Sequence, residues 1–455
     1  MNQVYQLKMP VFETPPLIYI EKTTPMLYEG KELGTFKDNL KTPIHRWFKY
    51  PAGYSYKFVQ ATFDLFGVSS GQWVYDPFSG SGTTLITAKQ TGVNGYGVEA
   101  HSFVHAVADT KLYWEYDNLT TLERDLDKFL VECRSFIYQE TESIQIEKVF
   151  PELVYKCYHP LDLKTLYLIR QFIMQYEINY HVINFLKLAL TDTLRNAASA
   201  GTGWPYISPR ENENPTVKNA FQVFQKTVQQ MYQDLFSVAS KQSLNCEIYN
   251  ILGDSRDKQN LADGQINLAI TSPPYLNNYD YADRTRLETY FWGITNSWKD
   301  ITEKFRKKLM TAATTQIVRG HHDVETALNK NIADVAPHVY SSLQSSILEL
   351  SSRRLEKGGK KDYDLMVALY FNDIFKIVSE TYRVLAPGKK FCLVLGDSAP
   401  YGVHIQTDEL IGQLGVAIGF SKYDYYQLRE RGDKWKNNPQ RHKIGLREGI
   451  IILSK

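Results

Sequence analysis

The residues from Gln72 to Thr84 read QWVYDPFSGSGTT, and they determine the predicted fold. The first four are β-prone and lead into an acid, Asp76, so they predict a short strand. Gly80 and Gly82 follow, and they leave space for a ligand beside the backbone and permit a positive φ. The residues from Thr83 to Thr91 then predict a helix.

A second strand and a second acid come after this helix. Residues 95–98 predict the strand, and Glu99 ends it 23 positions after Asp76 (99 − 76). This interval is close to the roughly 20 residues expected for an acid that binds a ribose in a Rossmann-like sheet. The order of strand, glycine turn, helix, strand and acid therefore predicts an α/β fold.

Further strands come much later in the chain. β-prone runs predict them at 247–252, 266–270 and 390–395, and runs at 419–427 and 449–453 predict a closing antiparallel pair. Residues 112–245 predict mostly helices, and residues 283–365 are rich in charge. One stripe at helical spacing, which favours packing between helices, consists of Phe221, Phe224, Val228, Met231, Leu235 and Phe236.

The composition bounds the class of protein. With 455 residues, 43% of them hydrophobic, the chain can bury an α/β core and still carry large insertions. The net charge of +2 argues neither for nor against a nucleic-acid partner. The four cysteines include no C-x-x-C pair, so we expect neither a disulfide framework nor a metal site. Without a run of about 18 apolar residues, no membrane partner is expected and a cytoplasmic location is predicted.

A second motif, Thr271-Ser272-Pro273-Pro274-Tyr275, directly follows the predicted strand at 266–270. Together with the glycine loop, it resembles the DNA amino-methyltransferases of restriction-modification systems, which methylate N4 of cytosine or N6 of adenine. The resemblance implies a Rossmann-like class I S-adenosylmethionine-dependent methyltransferase sheet with helical insertions. It also implies double-stranded DNA as substrate and a cognate restriction endonuclease as candidate partner, and it leaves the oligomeric state open.

The resemblance assigns the residues that bind S-adenosylmethionine. An acid at a strand end, Asp76, suits the sulfonium and amino groups of this ligand. Glu99 would accept hydrogen bonds from both ribose hydroxyls, whereas a strand-end acid is otherwise often only solvated. Asp254 is alternatively a helix cap or turn residue. The matching positions are the cofactor loop (Asp76, Pro77, Phe78, Gly80, Gly82 and Thr83), the ribose acid Glu99, the adenine contact Asp254 and the methionine-side Tyr56.

The predicted catalytic residues are Ser272, Pro273, Pro274 and Tyr275. An exocyclic amine is a poor nucleophile because its lone pair is delocalised into the ring. Acceptors at its two N–H groups, the Ser272 hydroxyl and the Pro273 carbonyl, would turn that lone pair toward the methyl group. The prolines stiffen the loop, and Tyr275 offers a face on which an extruded base can stack. In isolation, Pro-Pro would only end a strand.

The first residue of this loop predicts the target base. Serine there resembles the cytosine-N4 enzymes, and aspartate or asparagine resembles the adenine-N6 enzymes. We therefore predict N4 of cytosine, with N6 of adenine as the alternative. Less favoured alternatives are an RNA base methyltransferase, for which no RNA-binding signature is seen in the first 40 residues, and a non-catalytic nucleic-acid-binding subunit, which would be expected to have lost the intact Ser272–Tyr275 loop.

The methyltransferase core is predicted to comprise 43–111, 246–282 and 366–455. The insertion 112–245 is a candidate target-recognition region, and 283–365 is a candidate DNA contact. The segment from His45 to Phe58 either covers the methionine end of the cofactor or belongs to the core. The basic candidates for DNA contact are Arg429, Arg431, Lys434, Trp435, Lys436, Arg441, His442, Lys443 and Arg447 in the tail, and Lys307, Lys308, Arg353 and Arg354.

Overall fold

A seven-stranded sheet forms the centre of the computed structural model of the chain. The structure describes residues 36–50, 53–199, 216–239, 245–318, 320–356, 361–431 and 444–455. The strands are β1 (Trp73–Asp76), β2 (Asn94–Glu99), β3 (Ile248–Leu252), β4 (Ile266–Thr271), β5 (Leu385–Gly396), β6 (Lys422–Arg431) and β7 (Leu446–Ser454). The predicted α/β, Rossmann-like class is confirmed.

The strand order creates a crevice at the middle of the sheet. The order is β3-β2-β1-β4-β5-β7-β6, and every neighbouring pair is parallel except those that include β7, which is antiparallel to β5 and β6. The chain moves outward from β1 to β3 and then restarts at β4 on the other side of β1. In such open sheets, ligands bind beyond the carboxyl ends of the strands at this switch point. Those ends are Asp76 and Thr271.

Helices cover the sheet and fill the insertions. The helices before β3 are α1 (Tyr56–Phe66), α2 (Thr83–Thr91), α3 (Ser102–Leu112), α4 (Leu119–Glu140), α5 (Glu152–Cys157), α6 (Pro160–Gln175), α7 (Tyr180–Asn196) and α8 (Ala220–Ala239). Those after β4 are α9 (Arg286–Phe291), α10 (Trp298–Ile301), α11 (Lys330–Val335), α12 (Pro337–Glu356), α13 (Tyr363–Val384) and α14 (Thr407–Ile418). No described helix is long and apolar enough to cross a membrane.

Alternating side chains of the strands feed two separate cores. Val74 joins the cluster that includes α1, whereas its neighbour Tyr75 joins the cluster that includes α13. Cys392 and Phe391 divide between the clusters in the same way. This division follows because successive side chains of a strand point to opposite faces. A third cluster is formed mainly by the helices from α3 to α9.

Some predicted boundaries differ from the structure. The strand predicted at 419–427 begins only at Lys422, because Gly419 ends α14 with φ 138° and Phe420 still donates its N–H to the Gly415 carbonyl. The strand predicted at 390–395 extends back to Leu385. In the predicted apolar stripe, Phe236 is 54% exposed, while four members, Phe224, Val228, Met231 and Leu235, are buried.

Candidate active site

A pocket lies at the carboxyl ends of the central strands, where the switch point predicts one. The space within its lining is about 890 Å³, which includes open solvent. Six predicted cofactor residues and two predicted catalytic residues line it: Pro77, Phe78, Gly80, Thr83, Glu99, Asp254, Ser272 and Pro274. The fold thus brings the glycine loop and the Ser-Pro-Pro-Tyr loop to one cavity.

The glycine loop adopts the strained backbone that its sequence predicts. Gly80 has φ 52° and Gly82 has φ 87°, both in the left-handed region that favours glycine. Gly82 precedes α2 and does not line the pocket. A Cβ added there would lie 3.4 Å from the Cβ of Ala108 on α3, an ordinary contact, so the positive φ rather than a lack of space favours glycine at this position.

Glu99, the last residue of β2, is held beside the glycine loop. One carboxylate oxygen accepts a hydrogen bond from the backbone N–H of Gly80 (2.9 Å), and the other accepts one from the N–H of His101 (2.7 Å). Burial raises the pKa of Glu99 to about 7, although these backbone hydrogen bonds oppose the shift. The carboxylate therefore faces the pocket in a fixed orientation and is close to half protonated at neutral pH.

Asp254 lines the pocket while paired with an arginine. Its two oxygens accept hydrogen bonds from Arg256, the shortest at 2.6 Å. Burial alone would raise the pKa of Asp254, but the hydrogen bonds and charge of Arg256 outweigh it and lower the pKa. Arg256 also donates to Asp373 (3.2 Å) and to the Lys308 carbonyl (3.0 Å), so it joins this corner to α13 and to the charged insertion.

Asp76 is fully buried and does not line the pocket. Its carboxylate accepts hydrogen bonds from the hydroxyls of Thr271 (2.6 Å), Thr84 (2.5 Å) and Tyr54 (3.1 Å), and from the N–H of Phe78 (3.0 Å). Burial raises the pKa of Asp76, and these donors oppose the shift. The acid expected to face a sulfonium group thus faces the interior instead, where it ties together the ends of β1 and β4 and the start of α2.

The aromatic segment before α1 contributes two tyrosines to the pocket, but not the predicted one. Tyr50 and Tyr54 line the cavity. Tyr56 is the first residue of α1, does not line the pocket, and has its ring centroid 5.2 Å from that of His45. The choice between pocket and core was left open by the sequence, and the segment serves both, since Phe58 is buried in the α1 cluster.

The Ser-Pro-Pro-Tyr loop has one side on the pocket and another side away from it. Ser272 and Pro274 line the cavity, whereas Pro273 is buried and Tyr275 lies outside it. The Ser272 hydroxyl donates a hydrogen bond to the carbonyl of Val394 on β5 (3.2 Å). Burial, and then the charge of Glu448, raise the pKa of Tyr275 well above its usual value, so the phenol stays neutral.

An arginine of the basic tail lies over Tyr275. The guanidinium carbon of Arg431, the last residue of β6, is 5.1 Å from the ring centroid of Tyr275. Arg431 also donates to the backbone carbonyl of Asp397 (3.1 Å) and lies 3.8 Å from a carboxylate oxygen of Glu448. A Cβ on Gly396 would meet this arginine at 2.5 Å. A cation is therefore held against the predicted stacking platform at the end of β5.

Other basic candidates for DNA contact have partners within the chain. Three of the four in the second group form ion pairs, Lys307 with Glu303, Arg353 with Glu349 and Arg354 with Asp362. In the tail, Arg429 pairs with Glu448 and Arg447 pairs with Asp408. The tail residues Lys434, Trp435, Lys436, Arg441, His442 and Lys443 lie outside the described residues.

The charged insertion, residues 283–365, forms one wall of the pocket, and the sequence does not predict this. Lys308, Leu309, Met310 and Gln316 line the cavity. The wall is tied to the catalytic loop, because the N–H of Asn277 donates to the carbonyl of Ala312 (2.9 Å). The basic run around residue 307 predicts an exposed surface, and no local pattern indicates that residues beside it close a pocket.

The residues of the pocket fit S-adenosylmethionine. Its hydroxyl and amino groups need acceptors, which Glu99 and Asp254 supply, and its adenine and thioether need apolar walls, which Phe78 and Met310 supply. Two buried polar atoms on the lining, Ser81 Oγ and His101 Nδ1, have no hydrogen-bond partner among the described residues. Buried polar atoms are rarely left unpaired, so these indicate a polar ligand.

Comparisons with known proteins agree with this geometry. A family model described as DNA methylase matches residues 36–109. The chain is 25% identical to Type II methyltransferase M.BsoBI of Geobacillus stearothermophilus, over 94% of this chain and 88% of that protein. It is 23% identical to Type II methyltransferase M.AvaI of Nostoc sp., over 86% and 82%. It is 22% identical to Type II methyltransferase M.MvaI of Kocuria varians, over 96% of both.

Proposed function

Because this chain belongs to the DNA amino-methyltransferase family of restriction-modification systems, we propose that it transfers a methyl group from S-adenosylmethionine to N4 of a cytosine in double-stranded DNA. One observation carries the proposal. Ser272 and Pro274 line the same pocket as Gly80, Glu99 and Asp254, although they are distant in sequence. A methyl donor in this pocket would therefore lie beside the loop suited to orient an amine.

The cofactor would be held by fixed acceptors. The carboxylate of Glu99, already oriented by two backbone N–H groups, would accept hydrogen bonds from the ribose hydroxyls. Asp254, kept ionised by Arg256, would accept one from the adenine amino group. S-adenosylmethionine supplies an electrophilic methyl group when bound. Asp76, being buried, would act by positioning the loop and the two strand ends rather than by contact with the cofactor.

The catalytic loop would orient the target amine. The Ser272 hydroxyl donates to the Val394 carbonyl and is also hydrogen-bonded to the Tyr275 side chain, and the remaining lone pair of its oxygen would accept from one amine N–H. The Pro273 carbonyl would accept from the other. With both N–H groups held, the nitrogen lone pair points at the methyl carbon. Orientation and aimed dipoles of this kind are each worth several kcal/mol of barrier, about 3 for one such group.

Tyr275 and Arg431 would form the site of the extruded base. The ring of Tyr275 lies outside the cofactor pocket and is only partly buried, so it offers a face on the DNA side of the loop. Arg431 covers that ring with a cation. A base that enters would therefore stack on the face of Tyr275 that Arg431 does not cover.

The choice of cytosine over adenine rests on Ser272 in the first position of the loop. The relatives named Type II methyltransferases support a site-specific reaction that protects DNA beside a cognate restriction endonuclease. The candidate target-recognition region is the helical insertion 112–245, and the candidate DNA contact in 283–365 narrows to Lys308, which is exposed at the pocket.

The test is transfer of labelled methyl from S-adenosylmethionine to unmethylated genomic DNA, followed by nucleoside digestion and mass spectrometry. We expect N4-methylcytosine with the wild-type chain and almost none with Ser272→Ala. N6-methyladenine would overturn the choice of base and keep the reaction. Label in RNA and none in DNA would overturn the substrate, and no label in either would favour a non-catalytic subunit.

A further inference from the structure

A buried lysine lies behind the glycine loop. Lys111, near the end of α3, is 1% exposed, and its ammonium group donates hydrogen bonds to the carbonyl oxygens of Ser81 (2.9 Å) and His45 (3.3 Å). Ser81 stands between the two glycines of the loop. His45 begins the segment that contributes Tyr50 and Tyr54 to the pocket. One side chain thus joins two walls of the cofactor pocket.

Burial of this amine is unfavourable by itself. Desolvation lowers the pKa of Lys111 to about 7, and only the attraction of Asp192 on α7 opposes that shift. A methionine of similar length could fill the same space without desolvating a charge. The ammonium group donates to two backbone carbonyls. Lys111 therefore differs from a methionine in that it bonds the backbone at both of these points.

The peptide that Lys111 holds lies between two glycines, and Lys111 supplies the bond to its carbonyl side. Ser81 is flanked by Gly80 and Gly82, which both have positive φ, and glycine has no intrinsic preference for that conformation. The N–H of Gly80 is fixed by Glu99, and that of Gly82 is fixed by the Ser79 carbonyl (2.8 Å). The Ser81 carbonyl is held by the lysine, which therefore sets the direction of the peptide between the glycines.

We propose that Lys111 is a positioning residue for the cofactor: its ammonium group holds the Ser81 carbonyl and the His45 carbonyl, and thereby keeps the glycine loop in the form that receives S-adenosylmethionine. Lys111 does not line the pocket, so it would act through the loop and not by contact with the ligand. The inference rests on the proposed function only in taking S-adenosylmethionine as the ligand of this pocket.

The test is calorimetric binding of S-adenosylhomocysteine to the full chain, together with turnover at saturating cofactor. We expect Lys111→Met to raise the Kd about tenfold or more, as expected for loss of hydrogen bonds from a charged group, while turnover at saturation stays within about threefold. Lys111→Arg, which keeps the charge and the donors, should restore most of the affinity. Lys89→Met is the matched control.

Lys89 is a suitable control because it also bonds a backbone carbonyl, that of Leu112 (2.7 Å), but away from the glycine loop. The inference is overturned if Lys111→Met binds like the wild type, if Lys89→Met weakens binding equally, or if Lys111→Arg binds as weakly as Lys111→Met. Should Lys111→Met not fold, Lys111→Gln replaces it, and an unchanged Kd again overturns the inference. Failure of the wild type to bind would instead count against the proposed function.

Discussion

The two sides of the catalytic loop are built in different ways. On the cofactor side, the backbone N–H of Gly80 and the carbonyl of Ser81 are held by Glu99 and Lys111. On the base side, the ring of Tyr275 meets the guanidinium of Arg431, 156 positions away (431 − 275), whose side chain is 22% exposed and donates to the Asp397 carbonyl. The hydrogen bonds of the buried glycine loop predict a rigid cofactor site, and the partly exposed contact between Tyr275 and Arg431 predicts a base site that adapts. Substitutions on one side should therefore leave the other nearly unaffected.

The largest expected difference between an effect on turnover and an effect on cofactor affinity comes from Ser272→Ala. Loss of the hydroxyl removes one of the two acceptors that orient the amine, so turnover should fall about 10²- to 10³-fold, while the Kd for S-adenosylhomocysteine stays within about twofold. Steady-state transfer to DNA and calorimetry measure the two quantities. Ser421→Ala is the control, because Ser421 also donates to a backbone carbonyl (2.9 Å) but lies at the opposite end of the sheet. Full turnover in Ser272→Ala contradicts the assigned role.

Asp76→Ala should destabilise the chain at both loops, because Asp76 joins the ends of β1 and β4 to the start of α2. The change leaves the hydroxyls of Thr271, Thr84 and Tyr54 without their buried acceptor, and each such loss costs about 1–3 kcal/mol. We expect the free energy of unfolding in urea to fall by about 3 kcal/mol, with Asp64→Ala, at an exposed position of α1, within about 0.5 of the wild type. An Asp76→Ala chain that is as stable as the wild type and loses only cofactor affinity would favour direct contact with the cofactor instead.

The pH dependence of cofactor binding tests Glu99 through comparison with Glu99→Gln, because the pKa of Lys111 also lies at about 7. The pKa of Glu99, about 7, lies above the usual range, so the carboxylate is mostly protonated at pH 6 and mostly ionised at pH 8. Ribose hydroxyls donate to the ionised form, so the contribution of Glu99 should lower the Kd for S-adenosylhomocysteine roughly tenfold from pH 6 to pH 8, whereas loss of the Lys111 proton over the same range should raise the Kd. Glu99→Gln should remove the contribution of Glu99 to the pH dependence of the Kd. The comparison also separates this contribution from that of Lys111. A wild-type profile that matches Glu99→Gln contradicts the prediction.

The smallest effect is expected at Arg431. Arg431→Met removes the cation over Tyr275, and kcat/KM for DNA should fall about fivefold, in the range of cation–π contributions, with cofactor affinity unchanged. Arg429→Met is the matched control, because Arg429 pairs with the same Glu448, whereas Arg431 is the residue that lies over the ring. An equal loss in both variants would show that the effect acts through Glu448 and not through Tyr275.

Local sequence patterns predicted the elements whose causes are local. Gly80 and Gly82 have the positive φ that their loop requires, and α2 runs from Thr83 to Thr91 as predicted. Strand positions followed because an apolar run bounded by turn residues has few other conformations available. The ends of strands were less predictable. Leu385, for example, pairs with Ile266 only because the two strands are neighbours in the sheet.

Side-chain environments were less predictable than elements. Asp76 and Tyr56 were expected in the cofactor site because of their positions in motifs, yet neither lines the pocket. A motif specifies which residue stands at a strand end, but the direction of its carboxylate depends on which donors surround it. For Asp76 one of those donors is Thr271, 195 positions later in the chain.

The sequence by itself determined the α/β class and the positions of the two loops, and it predicted a serine that orients an amine beside a glycine loop. Each of these depends on steric and hydrogen-bonding preferences of a few consecutive residues. Only the tertiary structure decided that Lys308 and Met310 close the cofactor pocket, that Lys111 holds its loop and that Arg431 covers Tyr275. These contacts join residues far apart in sequence, and packing in three dimensions, which leaves no local pattern, selects them.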